Sequence, residues 1–378
     1  MAAVNAVGRS EPPAVPNGFK ATLRPYQVDG YHWLASIWDA QLGGVLADDM
    51  GLGKTVQTLA MLARAYEAGE LTDPVLVVAP SSMVGPWVRE AATFAPDLPV
   101  VAVRNTAAKR PEPLSDTVSG AAIVVTSYTV LRLDADEFRS LGWRGLVLDE
   151  AQFIKNHQSK TFHAAKRLRS PFTLAITGTP LENSLMDLWS MLALAAPGLF
   201  PKPELFSSTY RKPIESGAEP DKLDVLRRRI RPLMMRRTKE VVAADLPPKQ
   251  IQLQEIALTG KHEGYYRRQL QRERQRILGL LDDPDANRIA ILSSLTRLRQ
   301  ISLDPRLVDD EYTSREPSAK IGFLVDQLRE LSAEGHRALV FSQFTSYLRL
   351  VESALHDAAI TTTYLDGSTT NRQAVIDE

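Results

Sequence analysis

The chain has 378 residues, with 45 Lys/Arg against 45 Asp/Glu, no cysteine and 44% hydrophobic side chains. This is an ordinary globular composition with room for two domains; it excludes disulfides, thiolate chemistry and Cys-type zinc sites. No apolar run approaches the about 18 residues of a membrane span, and the six histidines are scattered. The N-terminal stretch has no charged start followed by an apolar core, so no secretory leader is expected. An intracellular, cytoplasmic location is expected, nucleoid-associated if the source is bacterial. The zero net charge conceals segregation. Between Arg227 and Arg306 there are 18 Lys/Arg and 9 Asp/Glu, a local +9 that predicts one basic face on an otherwise acidic body.

In chain order, residues 1–20 read as a tail. From about Thr22 to Pro197, short apolar runs alternate with helical stretches. Strands are expected at Gly44–Ala47, Val75–Ala79, Val100–Val103, Ala121–Thr126, Gly145–Leu148 and Thr173–Ile176. Rich in Val, Ile and Leu without polar alternation, they predict parallel strands buried on both faces. Strands alternating with helices predict an α/β three-layer domain over 21–197. Its sites are expected at the strands' carboxyl ends, where Asp48, Asp149 and Thr177 fall. Prolines then cluster, and 198–317 reads as a basic helical insert with one further strand possible at Gln250–Ile256. A second alternation begins near Ser318: helix Ile321–Ala333, strand Ala338–Phe341, helix Thr345–Asp357 and strand Thr361–Leu365. It predicts the beginning of another α/β domain over 318–378.

The most informative stretch is "ADDMGLGKTVQ" (47–57). A buried strand, a glycine turn and a helix opening with Lys-Thr have the layout of a phosphate-binding loop, a plain glycine-rich strand–helix turn being the alternative. Gly51 and Gly53 let the backbone approach an anion, Lys54 reaches the outer phosphates, and the Thr55 hydroxyl suits Mg²⁺. The usual pattern has glycine where this chain has Asp48. About 95 residues on, "LVLDEAQFIKN" (146–156) is a strand ending in two acids. There Asp149 suits the metal and Glu150 the orientation or deprotonation of attacking water. A strand ending in surface acids is the plainer alternative.

Together with their flanking motifs, these stretches resemble the Swi/Snf family of DNA-translocating ATPases within helicase superfamily two. "LRPYQVDG" (23–30) is similar to the adenine-reading glutamine motif, "VLVVAPSSMVGPWVRE" (75–90) to motif Ia, "DEAQ" (149–152) to motif II and "AITGTPLEN" (175–183) to motif III. "MMRRTKEVVAADLPPK" (234–249) and "LRQISLDPRLV" (298–308) resemble family-specific segments, the latter with Ser302–Leu303 in place of the more usual Cys-Asn. "ALVFSQFTSYL" (338–348) and "YLDGST" (364–369) resemble the opening of the second lobe.

The resemblance implies a RecA-like parallel-sheet ATPase lobe, a helical insert and the beginning of a second RecA-like lobe. It implies ATP with Mg²⁺, held by Arg24, Gln27, Asp48, Asp49, Met50, Gly51, Leu52, Gly53, Lys54 and Thr55, with Asp149, Glu150 and Gln152 completing the catalytic set. Thr177, Gly178 and Thr179 would couple the γ-phosphate to DNA. Contacts to duplex DNA backbone, independent of sequence, would come from Ser81, Ser82, Trp87, Arg236, Arg237, Ser342 and Gln343. Helix capping is the alternative role for the serines, and core packing for Trp87. The implied activity is that of a monomeric translocase that displaces or remodels DNA-bound protein. A strand-separating helicase and a non-hydrolysing DNA-binding fragment are the alternatives. Family members continue into motifs V and VI, whose arginines enter the ATP site, whereas this sequence ends after "TTNRQAVIDE". A fragment that binds ATP with little DNA-stimulated turnover is therefore expected.

Overall fold

The computed structural model describes residues 13–178, 184–242, 250–258, 260–279, 286–313, 318–369 and 375. The chain forms two compact units, Met1–Pro248 and Lys249–Glu378. No helix among the described residues is long and apolar enough to cross a membrane.

The first unit is built on seven strands: β1 (Gly44–Leu46), β2 (Val75–Ala79), β3 (Val100–Val103), β4 (Ile123–Ser127), β5 (Gly145–Leu148), β6 (Thr173–Ile176) and β7 (Met234–Met235). Their order is β3-β4-β2-β5-β6-β1-β7, and every pairing is parallel. Alternate residues of each strand enter two separate apolar clusters. Leu76, Val78, Val124 and Leu148 lie in one cluster, and Val75, Val77, Val125 and Val147 in the other. The second cluster takes in helices α1 (Pro25–Asp39), α2 (Lys54–Glu67) and α3 (Val84–Phe94). The first takes in α4 (Tyr128–Leu133), α5 (Lys160–Arg167) and α6 (Leu185–Ala195). Apolar layers on both sides explain why these strands lack polar alternation. The six expected strands all form, with shifts of one or two residues at β1 and β4.

Two expectations are corrected here. The first unit does not end at Pro197: helix α7 (Lys222–Ile230) and β7 follow, and β7 adds an edge strand beside β1, pairing Val45 with Met234 and Leu46 with Met235. The ladder then runs on into the loop after β1, with Ala47 N donating to Met235 O (2.7 Å) and Asp49 N to Arg237 O (3.0 Å). Secondly, the second unit's described residues contain no strand. It comprises helices α8 (Gly260–Leu278), α9 (Arg288–Leu303), α10 (Ala319–Ala333) and α11 (Thr345–Asp357). The stretches Gln250–Ile256, Ala338–Phe341 and Thr361–Leu365 form no strand pairing among the described residues, and Leu339 and Phe341 are 85% and 87% exposed. A parallel strand needs a neighbour to take its backbone donors and acceptors, and two short strands do not make a sheet. The two helices expected there do form.

Arg237, expected to meet DNA, lies inside the first unit. Its guanidinium is ion-paired with Asp48, reaches the Tyr26 carbonyl and donates to Gln57 Oε1 at 2.7 Å, while its backbone N–H donates to Asp48 Oδ1 at 2.9 Å. The Asp48 side chain is wholly buried. Arg237→Met would strand that carboxylate without its cation, and breaking a buried pair this way costs about 3–5 kcal/mol. We expect the first unit to lose about 3 kcal/mol of unfolding free energy in urea, followed through the tryptophans, all five of which lie in this unit. A loss below about 1 kcal/mol would contradict this assignment of the pair.

Candidate nucleotide site

The loop after β1 has the backbone that phosphate binding needs. Gly51 (φ 85°) and Gly53 (φ 75°) both lie in the left-handed region, where glycine is the low-cost residue. Gly53 caps α2, which opens with Lys54 and Thr55, so free N–H groups and the positive end of the helix face the loop. Lys54 Nζ donates to the carbonyls of Asp48 (2.7 Å) and Asp49 (3.1 Å). Burial pushes the Lys54 ammonium down, opposed by the surrounding acids Glu150, Asp48, Asp149 and Asp49. A polyphosphate would offer that cation a stronger partner than two carbonyls. Gln27, on α1, lies across the loop: its Oε1 accepts from Arg24 N at 2.9 Å and its Nε2 donates to Leu52 O at 3.3 Å.

The acid pair lies at the carboxyl end of β5. Asp149 Oδ1 accepts the Glu150 N–H (2.9 Å) and Oδ2 accepts the indole N–H of Trp87 (2.8 Å). Burial pushes the Asp149 carboxyl up and Glu150 adds to this, whereas the Trp87 and Glu150 N–H groups and Lys54 hold it down. Tyr128 Oη donates to the Asp149 carbonyl at 2.7 Å. Glu150 itself is left-handed (φ 48°, ψ 57°), a conformation costing a non-glycine residue about 1–2 kcal/mol, which re-aims its side chain relative to the strand. Gln152 Nε2 then donates to Glu150 Oε2 (2.8 Å), while Gln152 Oε1 accepts the hydroxyl of Thr177 (3.2 Å). Thr177 follows β6, is buried and donates its N–H to Leu46 O at 3.0 Å. Beside it, the Cβ position of Gly178 lies 2.9 Å from Met50 Cγ. Motifs after β1, β5 and β6 therefore meet at one sheet edge, through Met50–Gly178 and Glu150–Gln152–Thr177.

No cluster of three acidic or histidine ligands exists among the described residues. The donor set still suits Mg²⁺, which takes one or two carboxylates and completes its shell with substrate phosphates and water; Asp149 and Thr55 supply a carboxylate and a hydroxyl.

The remaining expected residues divide. Ser81 and Ser82 are exposed on the turn between β2 and α3, and Arg236 is exposed after β7. Trp87, expected at DNA, is 1% exposed and faces Asp149 instead. Ser342 and Gln343 belong to the second unit, where Ser342 Oγ accepts from Phe344 N (3.1 Å) and Gln343 Oε1 from Arg299 Nη2 (2.7 Å). Thr179 lies outside the described residues. Four partners carry no assignment in the sequence reading: Gln57, Tyr128, Trp87 as a carboxylate donor, and Arg237 as the counter-ion of Asp48. Only the last had a signal, since an acid in a buried loop requires a cation.

Gly53 offers a clean test of the loop. A Cβ there would lie 2.4 Å from Gln27 Nε2 on a left-handed backbone, whereas Gly69 (φ 70°) has the same backbone with open space around it. Both Gly53→Ala and Gly69→Ala should lose about 1–2 kcal/mol of stability. Only Gly53→Ala should also weaken ATP, by about tenfold or more, equivalent to about 1.4 kcal/mol. Equal ATP affinities in the two variants would remove Gln27 and Gly53 from the site.

The SNF2-related domain family matches residues 26–307. The chain is 35% identical over 331 residues to the putative ATP-dependent helicase/translocase YwqA of Bacillus subtilis (strain 168), covering 86% of this chain and 36% of that protein. It is 28% identical over 376 residues to the ISWI chromatin-remodeling complex ATPase ISW1 of Saccharomyces cerevisiae, covering 97% and 33%. The chain thus spans about a third of these relatives. Among solved structures it is similar to the Sulfolobus solfataricus SWI2/SNF2 ATPase core in complex with dsDNA, with a TM-score of 0.59, 33% identity, and coverage of 96% of this chain and 76% of that one. With its phosphate loop, acid pair and threonine-bearing strand end meeting at one edge of a parallel sheet, the chain belongs to the SNF2-related domain family.

Proposed function

We propose that this ATPase core binds Mg·ATP at the phosphate loop and spends its hydrolysis on movement along duplex DNA, displacing or remodelling bound protein. The observation that carries the reading is the chain of contacts Glu150–Gln152–Thr177. It ties the group suited to orienting water to the strand end best placed to sense the γ-phosphate. Asp149 and the Thr55 hydroxyl would hold magnesium, which would supply positive charge against the charge developing on the phosphates. Lys54 pairs with the outer phosphates, the amides around Gly51 and Gly53 cradle them, and Gln27 meets the base. Gln152 holds Glu150 in its strained position, and Thr177 with Gly178 relays the state of the loop, Thr179 being proposed to join them. Duplex DNA as the track is supported by the exposed Ser81–Ser82 turn, by Arg236 and by the basic composition of 227–306. The SWI2/SNF2 relative solved with dsDNA points the same way.

Titration with labelled ATP tests the site. Lys54→Ala should abolish binding, because it removes the cation over the phosphates. Glu150→Gln should bind as the parent does and stop hydrolysis, because Asp149 remains. Equal ATP affinity in the parent and Lys54→Ala would remove the loop from the account.

The DNA track predicts weak, sequence-independent affinity set by phosphate charge. That affinity should fall about tenfold or more between about 50 and 200 mM salt. Arg236→Glu should weaken all duplexes alike; preferential loss on one sequence, or an affinity indifferent to salt, would contradict a backbone track.

A further inference from the structure

Trp87 is the residue whose observed surroundings depart furthest from its expected role. Its ring belongs to the apolar cluster under α1, α2 and α3, which accounts for the ring but not for its polar tip. A buried indole N–H takes whatever acceptor is near: Trp143 and Trp189 use the main-chain carbonyls of Phe138 and Phe200, and Trp38 uses the Glu70 carboxylate at 2.6 Å. Trp87 donates to Asp149 Oδ2 at 2.8 Å, between side chains that are 1% and 6% exposed. The other carboxylate oxygen takes the Glu150 N–H at 2.9 Å. The plane of the carboxylate is thereby held at both oxygens, while each keeps a lone pair for a further ligand. Helix α3 thus reaches this acid through the indole N–H.

We propose that Trp87 is a positioning residue for the metal: its N–H sets the rotation of the Asp149 carboxylate that takes the ion accompanying ATP. This rests on the Mg·ATP reading above. Groups that orient a metal ligand from behind typically change metal affinity 10–100-fold when removed. Because α3 opens at Val84, directly after the exposed Ser81–Ser82 turn, the ion's acid is mechanically joined to that surface.

The test uses the 378-residue chain with Mn²⁺ as the probe, its affinity for the ATP complex read by electron paramagnetic resonance. ATP affinity is measured separately without divalent metal. Trp87→Phe removes the donor, and Trp189→Phe removes an equally buried donor elsewhere. Benzothienylalanine at position 87 keeps the bicyclic ring while deleting only the N–H, in case Trp87→Phe does not fold. We expect both changes at position 87 to weaken Mn²⁺ about tenfold or more with metal-free ATP affinity unchanged, and Trp189→Phe to alter neither. Unchanged Mn²⁺ affinity in a folded position-87 variant that binds ATP normally would overturn this inference alone, as would an equal loss in Trp189→Phe. A parent chain that binds no ATP would overturn the nucleotide reading and this inference with it.

Discussion

The buried ion pair between Asp48 and Arg237 is the constraint on which the candidate site depends. Asp48 occupies the loop position where glycine is usual, and a carboxylate taken fully out of water is tolerated only with a partner. That partner comes from 189 residues downstream and brings with it β7, the backbone bonds from Ala47 and Asp49, and the bond from Lys239 N to Asp49 Oδ2 at 3.1 Å. The phosphate loop is consequently laced on one side to β1 and α2 and on the other to the segment that leads out of the first unit. An acid in place of glycine exchanges conformational freedom at that point for a specific fastening.

A second strain is accepted nearby. Glu150 is one of three non-glycine residues found with positive φ among the described residues. Such a conformation persists where its surroundings over-determine it. Here the surroundings are Gln152 on its carboxylate, Asp149 on its N–H, and Tyr128, stacked on Phe153 at 5.4 Å, beneath the Asp149 carbonyl. Burial, with Asp149 and Glu150 adding to it, pushes the Tyr128 hydroxyl up, so it remains a donor. Preorganising a carboxylate in this way matches what orienting a water molecule demands.

Most of the first unit was legible because its physics is local and repetitive. Strands buried on both faces must be continuously apolar, so Val75–Ala79 or Thr173–Ile176 can be read without a partner. The glycine–lysine–threonine turn carries its own chemistry in the same way. β7 was not legible, since two methionines between Leu233 and Arg236 have no period and become a strand only through β1. Arg237 and Trp87 misled for a related reason. A guanidinium in a basic run and an indole in a motif expected at DNA have ordinary surface roles, and only the tertiary fold shows that each is turned inward to a carboxylate. The stretches around Leu339 and Leu365 show the converse, because β propensity without neighbouring strands does not produce a sheet.

A double-mutant cycle on ATP affinity, with Asp48→Asn, Arg237→Met and the double variant, shows whether the pair fastens the loop into the shape proposed to bind ATP. Residues acting as one fastening should be strongly non-additive. The account predicts that the double variant binds ATP no worse than the weaker single variant, a coupling of about 1.4 kcal/mol or more. Additive losses, or three variants with the parent's affinity, would contradict it.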